Sequence, residues 1–148
     1  MSDVNGVPLD TEAVFRVITL VDISFHLTDA TPHLRFVETE GEHRTFNISV
    51  SVHDAQQLAA ALAGQPRPRP QSVDILHLIM SELRCHVIAV RLVRFEHGVF
   101  FAELDIMTPN GRRVFDFRPS DAVALVLRQP TDVPMLIDAD VLDRVSRN

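Results

Sequence analysis

The 148-residue chain has no lysine, tyrosine or tryptophan and a single cysteine, Cys85. One cysteine closes no intramolecular disulfide and builds no structural zinc site by itself, so any metal would be held by carboxylates and histidines. The missing lysine excludes Schiff-base chemistry of the aldolase type and the phosphate loop that ends in lysine. No apolar run approaches the roughly 20 residues that span a bilayer. Met1 to Asp10 lacks the basic and apolar regions of a secretory signal, so the expected setting is the cytoplasm, with no membrane. A formal net charge of −6 opposes general attraction to a polyanion, so contact with nucleic acid would rest on local arginine clusters. What is present, 46% hydrophobic and 23% charged residues, suits a soluble globular chain of one domain.

The hydrophobic pattern divides the chain into strands and helices. Phe15 to Val21, His33 to Val37 and Thr45 to Val52 read as strands, broken by polar turns at Asp29 to Pro32 and around Gly41. Asp54, Ala55, Leu58, Ala59 and Leu62 have helical spacing, with Asp54 at the cap and Gly64 as the stop. Residues 65–72 form a short, extended, proline-rich connector within the domain. From Ser72 to Arg84, Leu76, Ile79, Met80 and Leu83 make an apolar helix face, with Asp74, His77, Ser81 and Arg84 on the opposite stripe. Val87 to Phe95, Phe100 to Ile106 and Arg113 to Phe117 follow as three antiparallel strands, turned at Glu96-His97-Gly98 and Asn110-Gly111. A buried helix from Pro119 to Arg128, a short strand from Met135 to Ile137 and a helix from Ala139 to Val145 complete the chain. There is a faint internal echo: Asp54-Ala55 opens one helix after strands, and Asp121-Ala122 opens another.

The stretch from Asp116 to Ala122 concentrates chemistry where a strand meets a buried helix. If Phe115 and Phe117 face the core, alternation puts Asp116 and Arg118 on the other face, beside unpaired helix amides. Arg118 and those amides suit a phosphate, while Asp116 and Asp121 suit a divalent ion or a water. The blander reading is structural: Pro119 in the first turn, Ser120 or Asp121 as cap, Asp116 paired with Arg118. Asp74 and His77 share one side of a helix, which suits a metal or simply a solvated stripe. Arg67 and Arg69 would grip phosphates from a stiff connector, or serve solubility. Glu103 and Asp105 alternate with core residues as a solvent-facing pair would, and Cys85 reads as inert.

The run Phe117-Arg118-Pro119-Ser120-Asp121-Ala122-Val123-Ala124-Leu125-Val126-Leu127-Arg128, preceded by Asp116 and followed by Val133-Pro134, resembles the signature of the bifunctional nuclease domain family. Arg69-Pro70 with Ser72, Asp74 and Ile75, the segment from Gly98 to Ala102, and Asp54-Ala55 agree in order and spacing. The resemblance spans residues 16–143, between an N-terminal segment 1–15 and a tail 144–148. It implies cleavage of DNA and RNA by phosphodiester hydrolysis, with Asp74, Asp116, Arg118, Ser120 and Asp121 at the matching positions. Asp74, Asp116 and Asp121 would hold magnesium or manganese, Arg118 would neutralise phosphoryl charge, and Arg67, Arg69 and Arg118 would bind substrate. The chain departs from the pattern where Ser72-Val73-Asp74 stands for Thr-His-Asp, and at Ser51 and Asp54, where glycine and glutamate are usual. His77 or His53 are the candidate replacements for the missing base. The expected fold is α+β, a mixed and mostly antiparallel sheet with three larger helices, assembled as a homo-oligomer. The alternative function is a non-catalytic module that binds nucleic acid, a small anion or a protein.

Overall fold

The computed structural model describes residues 13–26, 29–65 and 69–146. Strands β1 (Phe15–His26), β2 (Asp29–Glu38) and β3 (Thr45–Ser49) lead into helices α1 (Val52–Leu62) and α2 (Ser72–Glu82). Strands β4 (His86–Glu96), β5 (Val99–Thr108) and β6 (Gly111–Phe117) precede α3 (Pro119–Val126), β7 (Met135–Asp138) and α4 (Ala139–Val145). The seven strands form one sheet in the order β3-β2-β1-β7-β4-β5-β6, parallel only where β7 meets β4. The fold is thus α+β with a mixed, mostly antiparallel sheet, as expected. Several boundaries differ: β1 runs on to His26, β2 begins at Asp29, within the expected turn, β3 stops at Ser49 rather than Val52, and α3 stops at Val126 rather than Arg128. The last carbonyls of α3 have side-chain donors instead, from Arg128 to Ala124 O and from Gln129 to Leu125 O.

Alternation, interrupted by bulges in β1 and β4, decides which side of the sheet is covered. Ile18, Leu34, Phe36, Phe46, Ile48, Leu92, Phe100, Leu104 and Ile137 point to one buried face. The sheet curls on that face until its two halves meet: Phe36 stacks on Phe46 at 5.3 Å, Phe46 lies 5.8 Å from Phe100, and Phe100 lies 4.6 Å from Phe95. α1 and α3 complete this core with Ala55, Leu58, Val123 and Leu125. The curl draws the end of β3 and the start of α1 toward β5, β6 and α3, which assembles the site described below.

α2 is rolled relative to the sequence expectation. Met80, Leu76 and Val73 pack inward, as does Cys85 just beyond the helix, whereas Ile79 and Leu83 of the expected core face are exposed. Half of the stripe expected to be solvated is paired with the segment that follows α3, because Asp74 accepts from Arg128 Nε and His77 Nδ1 meets Gln129 Nε2 at 3.3 Å, while Ser81 and Arg84 are exposed as expected. Where a helix is apolar on two sides, such polar pairing chooses between them.

Two carboxylates are buried with a pair of arginines each. Asp105, expected to face solvent, is 2% exposed and takes bonds from Arg91 at 2.8 and 3.0 Å and from Arg112 Nε at 2.6 Å. Glu38, 1% exposed, takes Arg16 Nε at 2.7 Å and Arg44 Nε at 3.2 Å, and Arg44 also reaches Asp143 of α4. The turn after β2 closes tightly over this group, with Gly41 at φ +83° beside the Arg16 guanidinium. Hydrogen bonds from Arg44 outweigh burial and, with those from Arg16, hold the Glu38 carboxyl at about 2, below its ordinary 4.5. A lowered folded-state value gives stability that is complete above the unfolded value and lost as pH falls from about 4.5 toward about 2. Glu38→Gln leaves two guanidinium groups without their buried partner, at an expected cost of about 3 kcal/mol at neutral pH. In urea unfolding at several pH values, the variant should also lose part of the wild-type acid dependence. A midpoint within error of wild type at every pH would contradict this account.

Candidate active site

Arg118 is the last extended residue before α3, at φ −67° and ψ 140°, and Pro119 takes the first helical position. Its guanidinium is held bidentately by Asp121, Nε to Oδ2 at 2.8 Å and Nη2 to Oδ1 at 2.9 Å, because i and i+3 positions meet across the first turn. On its other side Nη1 lies 3.6 Å from Asp54 Oδ2 in the first turn of α1. Asp54 is available for this because Ser51, not Asp54, caps α1: the Ser51 hydroxyl accepts from Asp54 N at 3.0 Å. The hydrogen bond and charge of Asp121, with a smaller contribution from Asp54, raise the proton affinity of Arg118 further. Two aspartates from two helix starts thus fix one arginine, which remains 65% exposed.

Arg118 stands between two adjoining clefts. The larger, about 1090 Å³, runs between the end of β3 and strands β5 and β6 and is lined by Phe101, Glu103, Asp116 and Arg94 among others. The smaller, about 490 Å³, is lined by His53, Gln71, Val73, Ile75, Asp121 and Arg128. Asp54, Arg118 and Ser120 line both. Ser120 is 8% exposed, so it presents little surface at this junction.

The residues singled out in the sequence are distributed unevenly over this ground. Arg118, Ser120 and Asp121 come together, joined by Asp54, the residue expected as a cap. Asp116 lines the larger cleft but stands cross-strand from Glu103 on the outer sheet face, and the expected partner of Asp116, Arg118, goes to Asp121 and Asp54. Asp74 sits in the seam of α2 and α3, accepting from Gln71 N at 2.8 Å and from Arg128. Arg69 is exposed next to Pro70, and Arg67 lies outside the described residues. Of the two histidines considered as a base, His53 lines the smaller cleft and His77 meets Gln129. Arg128 and Glu103 line the clefts as well, though no spacing in the sequence marks them for a site.

The three carboxylates expected to share a metal occupy three settings, and among the described residues no group of three or more His, Cys, Asp and Glu side chains has the arrangement of a metal site. As arranged, these donors do not fit a resident ion, since Asp54 and Asp121 face a guanidinium and Asp74 serves a helix cap. No helix among the described residues is long and apolar enough to cross a membrane.

Two proteins of Mycobacterium tuberculosis are each 30% identical to the chain over 125 residues, covering 84% of it and 73% of their own length. They are the uncharacterized protein Rv1829 of strain H37Rv and the uncharacterized protein MT1877 of the Oshkosh strain. The model of the bifunctional nuclease domain matches residues 36–148, which include β3, both aspartates of the cluster and the whole of α3. The chain therefore belongs to the bifunctional nuclease domain family.

Proposed function

We propose that the chain is a cytoplasmic nuclease that hydrolyses phosphodiester bonds of DNA or RNA at Arg118. The observation that carries this reading is that Asp54, Arg118 and Ser120 line two clefts at once, so a strand crossing from one to the other passes its backbone over the guanidinium. Arg118 neutralises charge developing on the phosphoryl oxygens, and its pre-set orientation between Asp121 and Asp54 limits reorganisation during the reaction. His53, in the smaller cleft with these groups, is the side chain suited to take a proton from water. Arg69, exposed beside Pro70 of the smaller cleft's lining, and Arg67 would meet flanking phosphates. Asp74 acts as a positioning residue, through Arg128. Magnesium or manganese, the cofactors expected from the family resemblance, enter as arms of the assay.

One observation favours a second reading. Val73 lines the smaller cleft at the position where the family resemblance leads one to expect a histidine, and an aliphatic side chain transfers no proton. On that reading the same clefts bind nucleic acid, a small anion or a protein without turnover.

Purified protein incubated with end-labelled single- and double-stranded DNA and RNA, in magnesium, manganese or EDTA, separates the two. The nuclease reading expects cleavage that falls at least about 100-fold in Arg118→Ala protein, the scale for losing a transition-state charge partner. Asp121→Asn should fall in the same direction while keeping its fold. No cleavage under any condition, or equal cleavage by wild type and both variants, would overturn it. Asp74→Asn is expected to behave differently, losing about 1–3 kcal/mol in denaturant melts as its bond to Arg128 weakens. Its KM should rise more than its kcat falls; loss confined to kcat would instead put Asp74 at the reacting atoms.

A further inference from the structure

Phe101 is an aromatic side chain on the outer face of the sheet. Its neighbours Phe100 and Ala102 point into the core, so alternation along β5 turns it outward, where it stays 37% exposed. Arg94 reaches the same face because β4 carries a bulge. Leu92 pairs with Ala102 and Arg94 with Phe101, which leaves one residue of β4 over, and Leu92 and Phe95 on either side both pack on the core. Strict alternation would have put Arg94 on the core face with Leu92. As built, its guanidinium lies 4.3 Å from the centroid of the Phe101 ring. A cross-strand pair of cation and ring steadies a hairpin anywhere on a sheet, but this one lines the larger cleft together with Arg118.

We propose that Phe101, steadied by Arg94, is a stacking platform for an unpaired nucleobase, so that the larger cleft takes single-stranded nucleic acid with a neighbouring phosphate on Arg118. The inference deepens the nucleic-acid reading of the clefts and rests on it. A ring that offers its surface needs a base that offers its own, and in a duplex each base is covered by its stacked neighbours, leaving only edges in the grooves. Stacking is also tolerant of base identity and needs no particular sugar. Ala102 pairs with Phe117 at the end of the ladder between β5 and β6, so Phe101 and Arg118 are the next positions on their two strands. Charge sorts the parts of the nucleotide between them. Glu103 and Asp116, cross-strand partners in the same cleft, are held by no hydrogen bond or ion pair among the described residues. Their two charges repel a phosphate, which goes to Arg118, and leave the uncharged base to Phe101. Because Arg94 already restrains the ring, little freedom is lost when a base stacks on it.

Binding titrations of the full chain in EDTA test the platform, with a short labelled single strand, the same strand annealed to its complement, and a strand of equal length made of abasic sites. Wild type should bind the single strand at least about 10-fold more tightly than the duplex or the abasic strand, the scale of one stacked base. Phe101→Ala should lose that margin and bind single and abasic strands alike, whereas Arg118→Ala should weaken both by the same factor. The chain has no tryptophan, so Phe101→Trp places a single indole at the platform. That variant should keep the margin, and its fluorescence should be quenched by the single strand and not by the abasic one. Should Phe101→Ala misfold, the tryptophan signal decides. Equal quenching by the two strands, a duplex bound as tightly as the single strand, a Phe101→Ala protein with the wild-type margin, or a wild type that binds no nucleic acid would overturn the proposal. Binding and turnover fail separately: a protein that cuts nucleic acid without the margin loses the platform alone, and one that shows the margin but cuts nothing loses the nuclease reading alone.

Discussion

The curl of the sheet is the constraint on which the site depends. Four phenylalanines, Phe36, Phe46, Phe100 and Phe95, form a continuous chain of ring contacts that joins the neighbouring strands β2 and β3 to the neighbouring strands β5 and β4, two pairs far apart in the hydrogen-bonded order. Aromatic side chains bury large areas and favour offset or tilted packing, so the chain of rings holds one half of the sheet over the other. α1 follows β3 and α3 follows β6, so joining these halves also joins the two helix starts. Asp54 reaches Arg118 for that reason, and the clefts lie on either side of their junction.

The electrostatics follow from a chain whose basic side chains are all arginine. Glu38 takes two guanidinium groups, Asp105 takes two, and Arg118 is shared by two aspartates. A guanidinium has five donors in a fixed plane, enough to fork onto one carboxylate and still reach another group. Lysine's compact ammonium lacks the planar fork by which Arg44, just before β3, ties β2 to α4 through Glu38 and Asp143. An acidic protein can in this way keep buried carboxylates charged and leave one guanidinium, Arg118, fixed in place but largely exposed. Position, more than overall charge, is what such an arginine offers a phosphate.

α2 joins fold, site and surface. Its inner face completes the core under β4 and β5, its first residues border the smaller cleft, and Asp74 binds it to α3 through Arg128. The remaining face is apolar and exposed among the described residues. A helix with one apolar stripe would have satisfied the fold by itself.

The sequence alone determined the features that depend on neighbours along the chain. Period-two alternation located the strands, Pro119 marked the start of α3, and Asp121, one turn beyond Arg118, stood within reach of it. The family signature was readable for the same reason, being one continuous run. Only the tertiary structure decided the rest. Asp54 looked like a cap until Ser51 took that role and the curl brought α1 to Arg118. Asp105 looked solvent-facing until Arg91 and Arg112 covered it from neighbouring strands. The burial of α2 could not be read from its periodicity, because both faces are apolar and contacts with the segment that follows α3, distant in sequence, made the choice. Local patterns record which side chains share a face, whereas burial and ion pairing depend on what the rest of the chain sets against that face.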